Sequence, residues 1–332
     1  MKFIKKTYGL IANYVHILAN KGGDFHKEED RLLQTYYSAQ VSAHKQLLKN
    51  GIVMMVDGRT MHGGLSDRLR GICSVYYWCK QHNVPFYIHF DYPFALANYL
   101  SPNAVNWGIA DEDLCYHKEQ AQPILLILHP LPSKLHKFYL SRILPLAKRK
   151  QLHVYSNTLV FDKFYSQSFN ELFKLTQPLQ TAVNNELSHI KQPFEAMVLR
   201  FQQLLGDFKE GDYEILPPPK REILIQKCIM QIDKLHKQTG NNKLILLTSD
   251  SITFLNEAAA HLPYVRTIKG KIVHMDYTLN ATFDIYLKSF VDMLTLSHAD
   301  KIYLLKTDNM YKSGFAYRAA AINNTPYEYV EF

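Results

Sequence analysis

Residues 62–72, His-Gly-Gly-Leu-Ser-Asp-Arg-Leu-Arg-Gly-Ile, hold the densest set of reactive types in the chain. Gly63 and Gly64 allow close backbone approach to a ligand. Asp67 and His62 are candidate proton acceptors. Arg68 and Arg70 carry forked donors that match phosphate oxygens. The stretch follows an apolar run, Ile52–Val56, and leads into the spacing Leu69, Ile72, Cys73, Tyr76. The order is therefore strand, glycine loop, helix. It builds an anion site, because unpaired N–H groups and the helix dipole both favour negative charge. The competing reading is a tight turn before a helix.

Three further groups fall near the ends of apolar runs. Arg200 lies in Met197-Val-Leu-Arg-Phe201 and reads as a cation within an apolar strand. A buried arginine needs partners; these are either a diphosphate or a carboxylate such as Asp207 or Asp250. Ser249-Asp250-Ser251 closes one strand and opens a helix. Its members either cap that helix or bond a ligand. Ser313, Gly314 and Phe315 precede an alanine-rich helix and form a second loop-to-helix anion site. His274 and Asp276 share a strand face, so His274 is a third candidate base. The chain lacks HExxH, GxSxG and GxxxxGK[ST], which argues against common metalloprotease, hydrolase and P-loop designs.

The elements that position these residues alternate. Strands are expected at Ile52–Val56, Pro85–Phe90, Ile124–Leu128 and Leu152–Tyr155, with helices over 67–82 and 92–100. Residues 165–190 read as helical. A strand at Glu195–Phe201 follows, and then a polar loop from Gln202 to Pro219 whose Pro-Pro-Pro run breaks regular structure. Helices over 220–239, 252–261, 286–299 and 313–322 flank strands at Leu244–Thr248 and Lys301–Leu305. Such alternation implies parallel sheets covered on both faces. Ligands of these sheets sit beyond the C-terminal strand ends.

With 332 residues the chain is long enough for two domains, set here at 1–165 and 166–332. The apolar fraction of 47% excludes wholesale disorder. A formal charge of +8 suggests an acidic partner. Lys2, Lys5, Lys6 and Lys148-Arg149-Lys150 form no nucleic-acid motif. Cys73, Cys79, Cys115 and Cys228 contain no CxxC pair, so neither a zinc site nor a disulfide framework is expected. No apolar run is long enough to span a bilayer, and Phe3–Val15 reads as an amphipathic helix without signal-peptide character.

Taken together, the order of these pieces resembles the bacterial members of the fucosyltransferase superfamily that includes α1,2-, α1,6- and protein O-fucosyltransferases. Gly63-Gly64-Leu65-Ser66-Asp67-Arg68-Leu69 is similar to the family's N-domain glycine loop, often Gly-Gly-Leu-Gly-Asn/Asp-Arg. Val198-Leu199-Arg200-Phe201 stands where the family has His-x-Arg-Arg-Gly-Asp, and retains one arginine; Gly206-Asp207 resembles a displaced Gly-Asp. Ser249-Asp250 fits the strand-end acidic motif. The span from Ser289 through Tyr303 to Ser313-Gly314-Phe315 resembles the closing nucleotide-binding segment. The resemblance implies two Rossmann-like α/β domains, GT-B-like, facing across a cleft. It implies an inverting, metal-independent transfer of fucose from GDP-fucose, with no cofactor. Arg200 would contact the diphosphate, Asp250 the nucleoside, and Ser313, Gly314 and Phe315 the phosphates and base region. The expected acceptor is a glycan or lipid-linked saccharide. The expected location is cytoplasmic, with peripheral contact at an anionic membrane and no nucleic-acid partner. GDP-mannose or a UDP-sugar is the alternative donor. A non-catalytic glycan- or nucleic-acid-binding protein is the alternative class.

Overall fold

The computed structural model describes residues 23–40, 50–126, 138, 140–142, 146–158, 160–190, 193–208, 214–240, 243–273, 275 and 282–332. His274, Asp276, the Phe3–Val15 segment and Lys2, Lys5 and Lys6 lie outside them. The protein is α/β, and the chain divides into two compact units. Unit 1 takes Met1–Leu96 and Ser101–Lys174, and unit 2 takes Ala97–Leu100 and Leu175–Phe332.

Among the described residues, unit 1 has helix α1 (Gly23–Tyr36), followed by β1 (Gly51–Val56), α2 (Leu65–Gln81) and β2 (Phe86–Phe90). After β3 (Leu100–Pro102) come β4 (Ala121–Leu126), β5 (Gln151–Ser156), α3 (Tyr165–Leu172) and β6 (Phe173–Leu175). Four strands form a parallel sheet in the order β2-β1-β5-β4, and β3 pairs with β6 as a separate ribbon. Every residue of β1 is buried, as expected of a central parallel strand covered on both faces. Helix α2 crosses the end of β5 so closely that a Cβ on Gly71 would lie 2.0 Å from the Ser156 carbonyl oxygen. Only glycine fits there.

Unit 2 continues with α4 (Gln177–Ile190), β7 (Phe194–Leu199), α5 (Pro218–Gln238), β8 (Leu244–Ser249) and α6 (Ile252–His261). It closes with β9 (Val265–Arg266), α7 (Phe283–Leu296), β10 (Ile302–Lys306), α8 (Phe315–Asn323) and β11 (Tyr327–Glu331). Its parallel sheet has the order β11-β10-β7-β8-β9. The core gathers Met197, Leu199, Phe201, Ile245, Leu247, Phe254 and Leu305 between sheet and helices.

Several sequence expectations need correction. Residues 92–100 are not a helix: Pro93 lacks an N–H and restricts its predecessor, and only a 3-10 turn forms at Leu96–Asn98. The span 165–190 is broken by β6, whose Phe173 is β-extended at φ −123°. The proline run does not break structure; Pro218 begins α5, where a missing N–H costs nothing because first-turn donors are unpaired anyway. Strand β7 stops at Leu199, so Arg200 stands just beyond the strand.

Candidate functional site

In unit 2 the chain runs from β7 to β8 and β9 on one side, and places β10 and β11 on the other. The order reverses between β7 and β10, and a crevice at such a point, beyond the C-terminal strand ends, is where open α/β sheets bind ligands. Arg200 is the first residue after β7. Its carbonyl accepts the Tyr311 N–H at 3.0 Å, which ties the loop after β10 to the end of β7. Lys227 braces the same loop through Thr307 Oγ1 (2.5 Å) and Asp308 Oδ2 (3.0 Å). The Arg200 guanidinium lies 5.9 Å from the Tyr311 ring centroid.

Asp250 sets the direction of Arg200. Its Oδ1 accepts Phe201 N–H and its Oδ2 accepts Gln202 N–H, both at 2.8 Å. Oδ2 also stands 3.7 Å from Arg200 Nε. Burial pushes the Asp250 carboxyl above its ordinary range, against the pull of Arg200 and the two N–H donors. Both oxygens are thus committed to the turn that presents Arg200. That geometry makes Asp250 an organiser of the cation. Arg200 keeps 27% of its side chain exposed, against 5% for Asp250.

The neighbouring helix ends differ. At α6, Ser251 Oγ accepts Phe254 N–H at 3.0 Å. Asp207 accepts the Ser251 hydroxyl and the Thr253 hydroxyl, the latter at 2.5 Å. This N-terminus is filled by the chain's own groups. Ser249 is buried and its Oγ accepts Ser251 N–H at 3.2 Å. At α8, Ser313 Oγ accepts Phe315 N–H at 3.1 Å, whereas an added Cβ on Gly314 would meet nothing within 4 Å. The α8 end is open where the α6 end is closed.

In unit 1 the glycine loop has the expected place but a different internal wiring. Gly63 adopts φ +79°, a left-handed conformation that favours glycine. Its carbonyl accepts Arg68 Nε at 2.8 Å, and Arg68 Nη1 donates to Tyr92 O at 2.8 Å. Arg68 is buried and clamps the loop. Arg70 pairs with Asp67 at 2.9 Å and donates to Asn157 O at 2.5 Å. Gly64 is the α2 N-cap and faces open space. His62 is buried, with no hydrogen-bond partner on either ring nitrogen among the described residues. Burial, and then Arg68, push its pKa down to about 3. It is a neutral imidazole.

The structure also gathers a polar cluster at the β1 end that the motifs did not single out. β1 and β5 are the two central strands of this sheet. There Asp57 accepts the Tyr155 hydroxyl at 3.0 Å and pairs with Arg59 at 3.3 Å. The Arg59 guanidinium lies between the Tyr36 and Tyr116 rings, at 4.2 and 4.5 Å. Behind it, His153 bonds the Tyr37 hydroxyl through Nδ1 and Gln151 Oε1 through Nε2, both at 2.7 Å. Burial pushes His153 down to about 3. One strand along, His89 Nε2 lies 3.3 Å from Asp91 Oδ2. The period-two spacing of His153 with Tyr155 carried this signal, since alternate residues share a sheet face.

Among the described residues no group of three or more His, Cys, Asp or Glu side chains is placed to hold a metal ion. No described helix is long and apolar enough to cross a membrane.

The fold is shared with solved fucosyltransferases. The chain superposes on the NodZ α-1,6-fucosyltransferase soaked with GDP-fucose with a TM-score of 0.55 at 12% identity, over 82% of this chain and 93% of that one. Fucosyltransferase NodZ from Bradyrhizobium gives 0.54 at 13% identity, over 82% and 93%. A variant of Arabidopsis thaliana FUT1 in complex with GDP gives 0.53 at 11% identity, over 96% and 78%. No family model matches the sequence. No curated protein matches it by sequence comparison.

Proposed function

We propose that the protein is a glycosyltransferase that binds a nucleotide-diphosphate sugar through unit 2, with GDP-fucose as donor. The observation that carries this reading is Arg200, a cation presented by the Asp250 turn at the strand-order reversal between β7 and β10. A departing nucleoside diphosphate gains negative charge as its bond to the sugar breaks. A fixed guanidinium and the open N-terminus of α8 stabilise that charge most in the transition state. In this reading Arg200 contacts the diphosphate and Asp250 and Ser249 shape its turn. Gly314, with Ser313 and Phe315, receives the phosphates or the base. The transfer is inverting and draws its positive field from these groups.

Unit 1 is assigned the acceptor, a glycan or lipid-linked saccharide. In it Gly63, Gly64 and Arg68 shape the loop beside that ligand. The excess of 38 basic over 30 acidic residues suits work at an anionic cytoplasmic membrane surface. The GDP and GDP-fucose bound by the solved proteins of this fold support the donor class.

Thermal-shift titration of the intact protein against GDP, UDP and GDP-fucose tests the proposal. Binding only to the folded state raises the melting temperature with ligand concentration. Stabilisation by GDP and GDP-fucose but not UDP is expected. Stabilisation by UDP alone overturns the fucose donor, and no response to any nucleotide overturns the transferase reading.

A further inference from the structure

Within unit 2, the loop that follows β10 is held more firmly than a connection between a strand and a helix requires. Met310 N–H donates to Thr307 O at 3.1 Å, and Tyr311 N–H to Arg200 O at 3.0 Å. Asp308 adopts φ +49°, a left-handed conformation that a non-glycine residue keeps where its surroundings over-determine it. Here Lys227 Nζ donates to Asp308 Oδ2 at 3.0 Å and Lys306 Nζ to Asp308 O at 3.2 Å. Met310 is buried, with its Sδ 3.9 Å from Cys228 Sγ.

On this fixed backbone Tyr311 is 50% exposed. Its ring centroid lies 5.9 Å from the Arg200 guanidinium carbon. Arg59 covers the Tyr36 ring far more closely, at 4.2 Å. Lys312, the next residue along, turns to the Tyr329 ring, 3.8 Å from its centroid. An aromatic ring left in water forgoes the stabilisation that burial gives. A ring fixed beside a cation suits a ligand with two parts. Its anionic part meets the cation, and its flat apolar part covers the ring. A nucleoside diphosphate has both.

We infer that Tyr311 is the stacking platform for the donor's nucleobase and favours a purine; this rests on the nucleotide-sugar reading above. The diphosphate meets Arg200 and the open end of α8, and the base lies on the Tyr311 ring. A fused purine covers more of a phenol ring than a pyrimidine does. The platform therefore adds to the preference for GDP over UDP. Stacking is blind to the edge of the base, because every base has a π face. The choice of guanine over adenine thus falls to hydrogen bonds and not to Tyr311.

The test is calorimetric titration of GDP, UDP and inorganic pyrophosphate into wild-type, Tyr311→Ala and Tyr311→Phe protein, with a melting temperature for each. Tyr311→Ala should bind GDP about 10- to 100-fold more weakly, the range that a base-stacking ring contributes. It should bind pyrophosphate as the wild type does, and its preference for GDP over UDP should narrow. Tyr311→Phe keeps the ring and should keep the GDP affinity. Melting temperatures should stay at the wild-type value, since the ring is half exposed. Unchanged GDP affinity in a folded Tyr311→Ala protein overturns the inference. An equal loss of pyrophosphate affinity also overturns it, by showing that Tyr311 acts on the phosphates through Arg200. A Tyr311→Ala protein that melts well below the wild type marks the ring as structural and overturns it too. Failure of the wild type to bind GDP overturns the nucleotide-sugar reading itself, and this inference with it.

Discussion

Arg68 and Arg200 carry the same side chain to opposite ends. Arg68 lies one turn into α2, and its fork closes on two carbonyls of its own chain. Arg200 stands past a strand end and keeps 27% of its side chain exposed. The sequence distinguished Arg200 by its apolar neighbours, but the Arg68 contact with Tyr92 O spans 24 residues and left no local trace. The same holds for Asp57 and Tyr155, 98 residues apart.

His62 and His153 make a pH prediction at this scale. Both have folded pKa values near 3, against about 6.5 in an unfolded chain. Between those values the unfolded chain binds protons that the folded chain refuses. The stability is therefore complete above pH 6.5 and falls as pH drops toward 3, by about 1.4 kcal/mol per pH unit for each histidine. Urea unfolding at pH 7 and pH 5 measures the slope. His62→Phe removes one titration and two unpaired nitrogens, so it should flatten the slope by about 1.4 kcal/mol per pH unit without loss of stability at pH 7. An unchanged slope in that variant would show that His62 does not titrate this way.

Among the elements, what the chain's local chemistry dictates was readable. The buried runs of β1, β7, β8 and β10 were bounded to within a residue or two, since a parallel strand covered on both faces reads as an unbroken apolar stretch. Helix α6 was placed at its observed bounds because Ser251 caps it. Elements that depend on pairing were missed: β3, β6 and β9 have two or three residues each, too few for a periodic signal. Strand β11 alternates, Tyr-Glu-Tyr-Val-Glu, but lies at an edge. Gly71 shows how tightly one element is set against another. Its replacement by alanine would drive a Cβ into the backbone carbonyl of Ser156, 2.0 Å away, and backbone cannot move aside like a flexible side chain. Gly71→Ala should cost about 3 kcal/mol or more, read as a fall in the urea midpoint. A midpoint equal to wild type would mean that α2 can lift from β5 without cost.

At the scale of the whole molecule, the two units repeat one plan. Each has a parallel sheet, and each places an arginine beside an aspartate just beyond the C-terminal end of a central strand. Arg200 with Asp250 does this in unit 2, and Arg59 with Asp57 in unit 1. The first pair was open to sequence reasoning because the family resemblance pointed to Arg200. The second was not, since nothing in Asp57-Gly58-Arg59 announces the two tyrosine rings that close on the guanidinium. The central claim is that Arg200 binds the diphosphate of the donor. Calorimetric titration of GDP into wild-type and Arg200→Ala protein, with melting temperatures for both, tests it most directly. A charge-assisted contact contributes about 1.5–3 kcal/mol, so GDP affinity should fall by about 10- to 100-fold while the variant stays folded. Equal GDP affinity in a folded Arg200→Ala protein would contradict the account.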